Sequence, residues 1–333
     1  MSALPAWLAG IAKEALEHRD RWPHALLISG PEGVGKRTLG MHFARALVCE
    51  SPRSDGSACN SCDGCHYAAA GQHPDLLRVE PVDVDEEGVV TPTDWIKVDA
   101  IRALIEWTQI SAHRRRAKVA LIAPAEAMHP SAANALLKTL EEPPAGTFLM
   151  LASHRPGVLP VTVVSRCQRL TIPLPSTDQS LHWLIEQGNA NAEAALAQAG
   201  GAPYLAGTLA DPAYQAERKA WLTALAHPKT LSPVALAARI ELAPRDERRG
   251  RLAWVIDWLI AWTGDLARSD AGGKAVRHPE WSGELAELAA RVARVSLFGY
   301  HRRLLQQRAI VTHPLQPRLV AEALLLEYRE IFT

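Results

Sequence analysis

The chain has 333 residues, more than one hydrophobic core normally serves, so two or three domains are expected. Apolar residues make up 48% of the sequence and charged residues 22%, a globular balance that excludes a disordered chain. Lys and Arg number 36, as do Asp and Glu. This neutrality excludes a uniformly basic nucleic-acid coat and an acidic tail protein, so any DNA contact must come from a local patch.

The first half alternates short apolar runs with segments of helical periodicity. Apolar runs that end in Gly or Pro are typical of buried parallel strands, and their alternation with helices predicts a parallel sheet covered on both faces, an α/β fold. An acidic loop is expected at 83–94. The other predicted elements are helix 4–20, strand 24–29, helix 36–48, strand 75–81, helix 97–110, strand 118–124, a helix that Ser131 caps and two prolines end, and strand 147–153.

Beyond about residue 172 the predicted strands stop. Residues 173–178 are expected to form a linker, and Ala- and Leu-rich helices broken by turns follow. One of these helices carries Trp254, Trp258 and Trp262 at intervals of four residues. This spacing indicates either a stripe packed against neighbouring helices or a platform on which nucleic-acid bases stack.

The sequence predicts a cytoplasmic protein. No stretch approaches the ~18 consecutive apolar residues of a membrane span, and the early charges argue against a cleavable apolar leader. Thiols stay reduced in the cytoplasm, so the five cysteines need another explanation than disulfides.

A glycine-rich segment, GPEGVGKRT (30–38), follows the first predicted strand and opens a helix. In such a loop, backbone N–H groups surround phosphate oxygens, the helix N-terminus adds partial positive charge, and the lysine reaches the outer phosphates. The sequence therefore predicts a phosphate-binding loop that can accept ATP or ADP. Its expected binding residues are Gly30, Gly33, Gly35, Lys36, Arg37 and Thr38.

The residues that would support hydrolysis are missing from their expected positions. Arg37 stands where a Ser or Thr hydroxyl would ligate Mg²⁺, and Thr38 cannot replace it because one helical residue rotates a side chain by ~100°. At the end of the strand 118–124, where a metal-binding carboxylate is needed, the residues are Ala123 and Pro124. Glu126 lies further along and is expected to face solvent.

Four cysteines lie close together in the sequence. Cys49 precedes the run CNSCDGC, which contains Cys59, Cys62 and Cys65. Cys-x2-Cys turns place two thiolates on one ion, and four thiolates at about 2.3 Å close the shell of a structural Zn²⁺. An iron–sulfur cluster and free thiols are the alternatives. Cys167 is distant and expected to be buried.

Two basic features give weaker signals. The run from His113 to Arg116, with Lys118, indicates a solvated loop or, alternatively, a patch that contacts phosphate. Arg166 lies within Ser-Arg-Cys (165–167), after the last predicted strand and a loop. On composition alone it would be an ordinary surface arginine.

Together, GPEGVGK, the four-cysteine insertion, NALLKTLEEPP (134–144) and Ser-Arg-Cys resemble the AAA+ clamp-loader subunits of bacterial DNA polymerase III. The resemblance covers about residues 20–210. It implies a RecA-like AAA+ domain over 1–171 with a zinc module at about 49–66, a small helical lid domain over 172–212, and a C-terminal helical collar over 213–333.

The resemblance also implies a role for Arg166. In such rings each nucleotide lies between neighbours, so a guanidinium supplied in trans, an arginine finger, would stabilise the phosphate of an adjacent gamma or tau subunit. The missing hydrolytic residues match a member that does not hydrolyse ATP, and the turn GGAPYLA (200–206) lacks the second-sensor arginine of active members. The implied partners are gamma/tau and delta subunits, the sliding clamp and primed DNA.

Two other classes of function stay open. An active ATPase or GTPase is opposed by Arg37, Ala123 and Pro124, and measured turnover would decide it. A stand-alone zinc module that binds nucleic acid is opposed by the neutral net charge, and a salt-dependent DNA affinity of the isolated chain would support it.

Overall fold

Two compact units divide the chain, one up to Gln179 and the other from Ser180 onward. The first is an α/β unit, and the second is helical throughout the part that is described, which confirms the predicted α/β plus all-α fold. The predicted domain boundaries at 171 and 212 stay predictions. The computed structural model describes residues 4–18, 21–84, 89–114, 116–245, 247–311 and 316–332.

The first unit is built on a five-stranded parallel sheet. The described strands of the unit, two of which lie outside this sheet, are β1 (Ala25–Ser29), β2 (Leu76–Val79), β3 (Val82–Val84), β4 (Val90–Pro92), β5 (Lys118–Ile122), β6 (Thr147–Ser153) and β7 (Gln168–Thr171). The order across the sheet is β2-β5-β6-β1-β7. Strands β3 and β4 pair as a separate antiparallel hairpin within the segment expected to be a loop, and residues 85–88 lie outside the described residues.

Helices cover both faces of this sheet, as predicted. The helices of this unit are α1 (Ala6–Glu17), α2 (Lys36–Val48), α3 (Asp63–Ala70), α4 (Val98–Gln109), α5 (Pro130–Glu141) and α6 (Val161–Val164). Leu27 and Ile122 share a core with residues of α4 and α5 on one face of the sheet. Ile28 and Leu121 are the neighbouring residues on the same two strands, and they pack against α2 at Gly40 on the other face. Side chains of a strand alternate between the two faces, so these apolar runs are buried on both.

The expected cap of α5 is wrong by two residues. The N-cap is His129, whose Nδ1 accepts a hydrogen bond from the N–H of Ser131 at 3.3 Å. Pro130 then occupies the first helical position, where its fixed φ suits a helix and its missing N–H has no consequence.

The second unit consists of helices, and those from residue 212 onward contribute to one apolar core. None of the described helices is both long and apolar enough to cross a membrane. Helix α7 contains the division between the units. The helices are α7 (Thr177–Glu186), α8 (Ala192–Gln198), α9 (Pro203–Leu209), α10 (Pro212–Leu225), α11 (Pro233–Ala237), α12 (Arg248–Asp270), α13 (Ser282–Ala289), α14 (Arg294–Ala309) and α15 (Pro317–Glu330).

The tryptophan stripe lies on α12 and belongs to this core. Trp258 and Trp262 are buried, and the indole N–H of Trp262 donates to the Tyr328 hydroxyl of α15 at 2.8 Å. That hydroxyl donates in turn to the carbonyl oxygen of Leu225 at the end of α10, also at 2.8 Å. Trp254 is half-buried and packs against the same core, so the packed-stripe interpretation is confirmed, because rings packed in a core cannot stack on nucleic-acid bases.

Candidate functional site

The glycine-rich segment connects β1, an internal strand, to α2. Gly33 and Gly35 adopt φ values of 76° and 98°, a region that favours glycine. At Gly30 a side chain is excluded, because a Cβ would lie 2.3 Å from the carbonyl oxygen of Ile172. The glycines therefore allow a tight loop directly before a helix N-terminus, which is the local structure that binds phosphate.

Lys36 is held inside this loop. Its Nζ donates hydrogen bonds to the carbonyl oxygens of Gly30 at 2.9 Å and Pro31 at 2.6 Å. Burial lowers the pKa of Lys36, while the nearby carboxylates of Glu126 and Glu32 act in the opposite direction. An ammonium has three N–H donors, so one remains for a phosphate oxygen.

The positions at which Mg²⁺ ligands are expected offer none. The Arg37 guanidinium, 55% exposed, forms an ion pair with Glu80 at 2.5 Å. Ala123 is buried and Pro124 follows it at the end of β5. Thr38 is half-buried in the first turn of α2. The phosphate-binding part of the motif is therefore retained without the metal-binding part.

The expectation that Glu126 faces solvent is wrong, because its side chain is only 1% exposed. One carboxylate oxygen accepts a hydrogen bond from the backbone N–H of His154 at 3.0 Å and contacts the imidazole Nδ1 at 2.5 Å. Burial would raise the pKa of Glu126, but hydrogen bonds, foremost from His154, lower it to about 2. His154 Nε2 lies 3.9 Å from a carboxylate oxygen of Glu32, which connects the pair to the glycine-rich loop.

Cys49, Cys59, Cys62 and Cys65 come together as predicted. Their four Sγ atoms lie within 4.8 Å of one another, with separations of 3.9 Å between Cys49 and Cys62 and 3.8 Å between Cys59 and Cys65. Four sulfurs at 2.3 Å from one tetrahedral ion are about 3.8 Å apart. The donor set therefore fits a single metal ion better than an iron–sulfur cluster, whose thiolates bind different iron atoms.

Backbone N–H groups point at three of these sulfurs. The Cys49 Sγ accepts from Cys59 at 3.3 Å, the Cys59 Sγ accepts from Ser61 at 3.4 Å and from Cys62 at 3.3 Å, and the Cys62 Sγ accepts from Cys65 at 3.4 Å. Hydrogen bonds from Ser61 lower the pKa of Cys59 to about 5, whereas burial raises the pKa of Cys65 to about 12. A bound cation would offset the cost of burying the Cys65 side chain as a thiolate.

Arg114 of the basic run binds the cysteine segment. Its guanidinium forms ion pairs with Glu50 and, at 3.3 Å, with Asp63, and it lies 5.1 Å from the centre of the Tyr67 ring. Arg116 donates to the carbonyl oxygen of Glu50. The expectation of a solvated loop is therefore wrong for Arg114, since α3 and the residue after Cys49 engage its charge.

The backbone of the run is bound by Asp75, the residue directly before β2. Asp75 accepts hydrogen bonds from the backbone N–H groups of His113 and Arg114, both at 2.9 Å. Lys118 is buried, and its ammonium lies 4.1 Å from the centre of the Trp107 ring. Arg115 lies outside the described residues.

Arg166 follows α6 and precedes β7. Its Nε donates to a carboxylate oxygen of Glu141 at 2.6 Å, Nη2 contacts the same oxygen, and Nη1 donates to the carbonyl oxygen of Thr162 at 2.8 Å. The side chain is about one-third exposed.

Arg166 and the glycine-rich loop lie at opposite ends of two paired strands. Strand β1 runs parallel to β7, with Leu26 beside Gln168 and Ser29 beside Thr171. Arg166 lies in a turn two residues before this register, and the loop follows the register directly. At ~3.3 Å per residue the paired residues alone span roughly 10 Å, and both features lie beyond them. The chain therefore does not bring Arg166 to its own phosphate site.

Reasoning from the sequence missed the Glu126–His154 pair, although a signal for it exists. Glu126 follows β5 and His154 follows β6, and these strands are neighbours. The carboxyl ends of neighbouring parallel strands meet at one edge of a sheet, where ligands bind in open α/β folds. The carboxylates that bind Arg114 and Arg166 were missed because nothing in the sequence indicates those pairings.

Comparison with known proteins gives consistent matches. A family profile described as DNA polymerase III, delta subunit, matches residues 11–176. The chain is 34% identical over 328 residues to DNA polymerase III subunit delta' of Pseudomonas aeruginosa, and the match covers 94% of each protein. It is 35% identical over 161 residues to DNA polymerase III subunit tau of Salmonella typhimurium, and that match covers 48% of this chain and 23% of the tau subunit. A solved DNA polymerase III gamma subunit-related protein from Thermotoga maritima aligns with a TM-score of 0.48 and 17% identity, over 98% of this chain and 100% of that one.

Proposed function

The chain belongs to the family of bacterial DNA polymerase III delta' subunits, and from this premise we propose that it is a non-hydrolysing AAA+ subunit of a clamp loader. Its partners would be gamma/tau and delta subunits in a ring that opens the sliding clamp and places it on primed DNA. The relatives named delta' and tau support membership of such an assembly. In this proposal residues 172–212 form the lid and 213–333 the collar that holds the ring together.

The absence of hydrolysis is supported by the composition of the phosphate site. Arg37 is paired with Glu80, and Ala123 and Pro124 have no side-chain donor for Mg²⁺. Glu126, the buried carboxylate nearest in sequence to those positions, is engaged by His154. Without a metal ligand at positions 37, 123 and 124, the loop would bind ATP or ADP through Lys36 and not turn it over.

The position of Arg166 is the observation that carries the proposal. Arg166 precedes the amino end of β7, whereas its own loop follows the carboxyl end of β1, so the paired strands separate them and Arg166 cannot act there, but it remains partly exposed at the opposite end of the sheet. In the proposed ring this end meets the nucleotide of the neighbouring gamma or tau subunit. Arg166 would then stabilise negative charge on the transferring phosphoryl group, the role for which a planar, permanently charged guanidinium is suited.

The metal site would have a structural role. Cys49, Cys59, Cys62 and Cys65 would hold one Zn²⁺ with a closed shell of four thiolates. The ion would supply folding energy to the segment 49–66 and no open coordination position for water.

The test is Arg166→Ala in a complex reconstituted with gamma/tau, delta, the clamp and primed DNA. Assembly and zinc content should stay unchanged, because a partly exposed guanidinium contributes little to stability. The stimulated ATPase should fall by about a third if one of three sites loses its finger, and clamp loading should fall further. Arg166→Lys should restore only part of the activity, since an ammonium lacks the planar fork.

The matched control is Arg102→Ala, which removes another exposed arginine paired with a carboxylate, Asp99, at 3.2 Å. It should leave ATPase and loading unchanged. The finger role is wrong if Arg166→Ala leaves both activities intact in a complex shown to contain the variant.

A further inference from the structure

The Arg166 guanidinium is already oriented within its own chain. Nε and Nη2 donate to one oxygen of Glu141, and Nη1 donates to the carbonyl oxygen of Thr162 with a longer contact of 3.5 Å to the Ser165 hydroxyl. A guanidinium has five N–H donors in a rigid planar fork. Those that Glu141 and Thr162 leave over belong to Nη1 and Nη2, at the end of the fork.

We propose that Glu141 is a positioning residue for Arg166 in the hydrolysis reaction of the neighbouring subunit. This inference rests on the finger role proposed above. Glu141 holds one side of the Arg166 fork, so that the free N–H groups of the guanidinium face the phosphate bound by the partner subunit. An arginine side chain fixed before the partner binds loses less rotamer freedom in the transition state than a free one.

The backbone around Glu141 makes it a firm support. It is the last residue of α5, and Glu142, Pro143 and Pro144 follow it before β6 begins. Its position is therefore set by a helix end on one side and by two residues of fixed φ on the other. The carbonyl end of α5 carries partial negative charge, which also favours a guanidinium there.

The opposite role, in which Glu141 sequesters Arg166, is disfavoured by exposure. The two side chains are 46% and 32% exposed, so water screens their attraction. A weak, solvated pair cannot keep a guanidinium from a phosphate that carries several negative charges, but it can bias the orientation of the side chain. The sign of the effect of Glu141 on hydrolysis therefore separates the two roles.

The test uses the reconstituted complex with gamma/tau partners whose own finger arginines are replaced by alanine, so that the remaining hydrolysis depends on Arg166. In this complex Glu141→Gln, which keeps the size and removes the charge, should lower kcat roughly fivefold with KM for ATP unchanged. A group that acts only in the transition state affects kcat in this way. Glu141→Asp, which keeps the charge on a shorter stem, should recover part of the loss.

The matched control is Glu142→Gln, which alters the adjacent exposed carboxylate and should leave kcat unchanged. In a complex whose gamma/tau partners keep their own finger arginines, adding Glu141→Gln to Arg166→Ala should cause no further loss, because the two residues act through one contact. Circular dichroism and assembly should be the same for all variants.

Two results would overturn the inference alone: a kcat that rises in Glu141→Gln, which would mean sequestration, or a kcat that does not change while Arg166→Ala abolishes hydrolysis. If Arg166→Ala itself leaves hydrolysis intact, the finger role and this inference are both wrong.

Discussion

Helix α2 begins in the phosphate-binding loop and ends at the first cysteine of the metal site, so its two ends can be compared directly. At the carboxyl end, Cys49 joins three other thiols within one short segment, and the donor set is complete. At the amino end, Lys36 and the glycines are in place, but Arg37, Ala123 and Pro124 cannot ligate a metal.

The difference lies in how each kind of site is assembled. A tetrahedral metal site can draw every ligand from one local segment. A hydrolytic phosphate site needs a loop, a strand end and groups from further elements at the same time. A loop can therefore keep its shape and its lysine after hydrolysis has been lost, whereas a metal site that loses one ligand loses most of its affinity.

The largest effect is expected at the carboxyl end of α2, where the metal site has all four of its ligands. Cys62→Ser should reduce bound zinc from about one equivalent per chain to a small fraction, because serine is not a thiolate donor. Metal analysis of protein purified without added metal measures this. Cys167→Ser, which alters the cysteine outside the cluster, should leave the zinc content unchanged. Iron in place of zinc, or full retention of zinc in Cys62→Ser, would contradict the assignment.

At the incomplete end the expected effect is on binding alone. The chain should bind ATP and ADP, and Lys36→Ala should weaken this binding by about tenfold, because a charge-assisted hydrogen bond to phosphate is lost. A fluorescent nucleotide titration measures the affinity, with the exposed Lys13→Ala as the control. Phosphate release should stay at background in every case. Steady turnover that Lys36→Ala abolishes would show that the amino end is catalytically complete.

A smaller effect should follow when contacts to the metal-binding segment are removed while its four cysteine ligands are left unchanged. Arg114→Ala removes the ion pairs with Glu50 and Asp63, so amides of α3 should exchange with solvent a few-fold faster while those of β5 do not change. Arg114→Lys keeps the charge but cannot span both carboxylates and should give an intermediate rate. Unchanged exchange in Arg114→Ala would mean that the metal alone holds the segment.

The parts of the fold that could be predicted are those with a local cause. Strands β1 and β5 were predictable because four of the five residues in each are apolar and both strands are buried on both faces. Strand β7 was not, because Gln168–Thr171 lies at an edge of the sheet and is mostly exposed, so its sequence carries no apolar run.

The same distinction holds for the site. The four cysteines were predictable because ligand type and spacing determine the chemistry. The burial of Glu126 was not, because it depends on His154, which follows a different strand 28 residues later. The partner of Arg166 is equally non-local, since Glu141 precedes it by 25 residues and no sequence rule joins a helix end to a turn after the next strand.

The hydroxyl of Tyr328 has a consequence for the time course of synthesis. It joins α12 and α15 to the end of α10, and 103 residues separate Tyr328 from Leu225. At roughly 5–20 residues per second, a ribosome needs about 5–20 s to translate that interval. When α10 emerges from the ribosome, its last packing partner does not yet exist. A nascent chain therefore carries an unfinished helical unit for seconds, during which a chaperone or a protease can reach it.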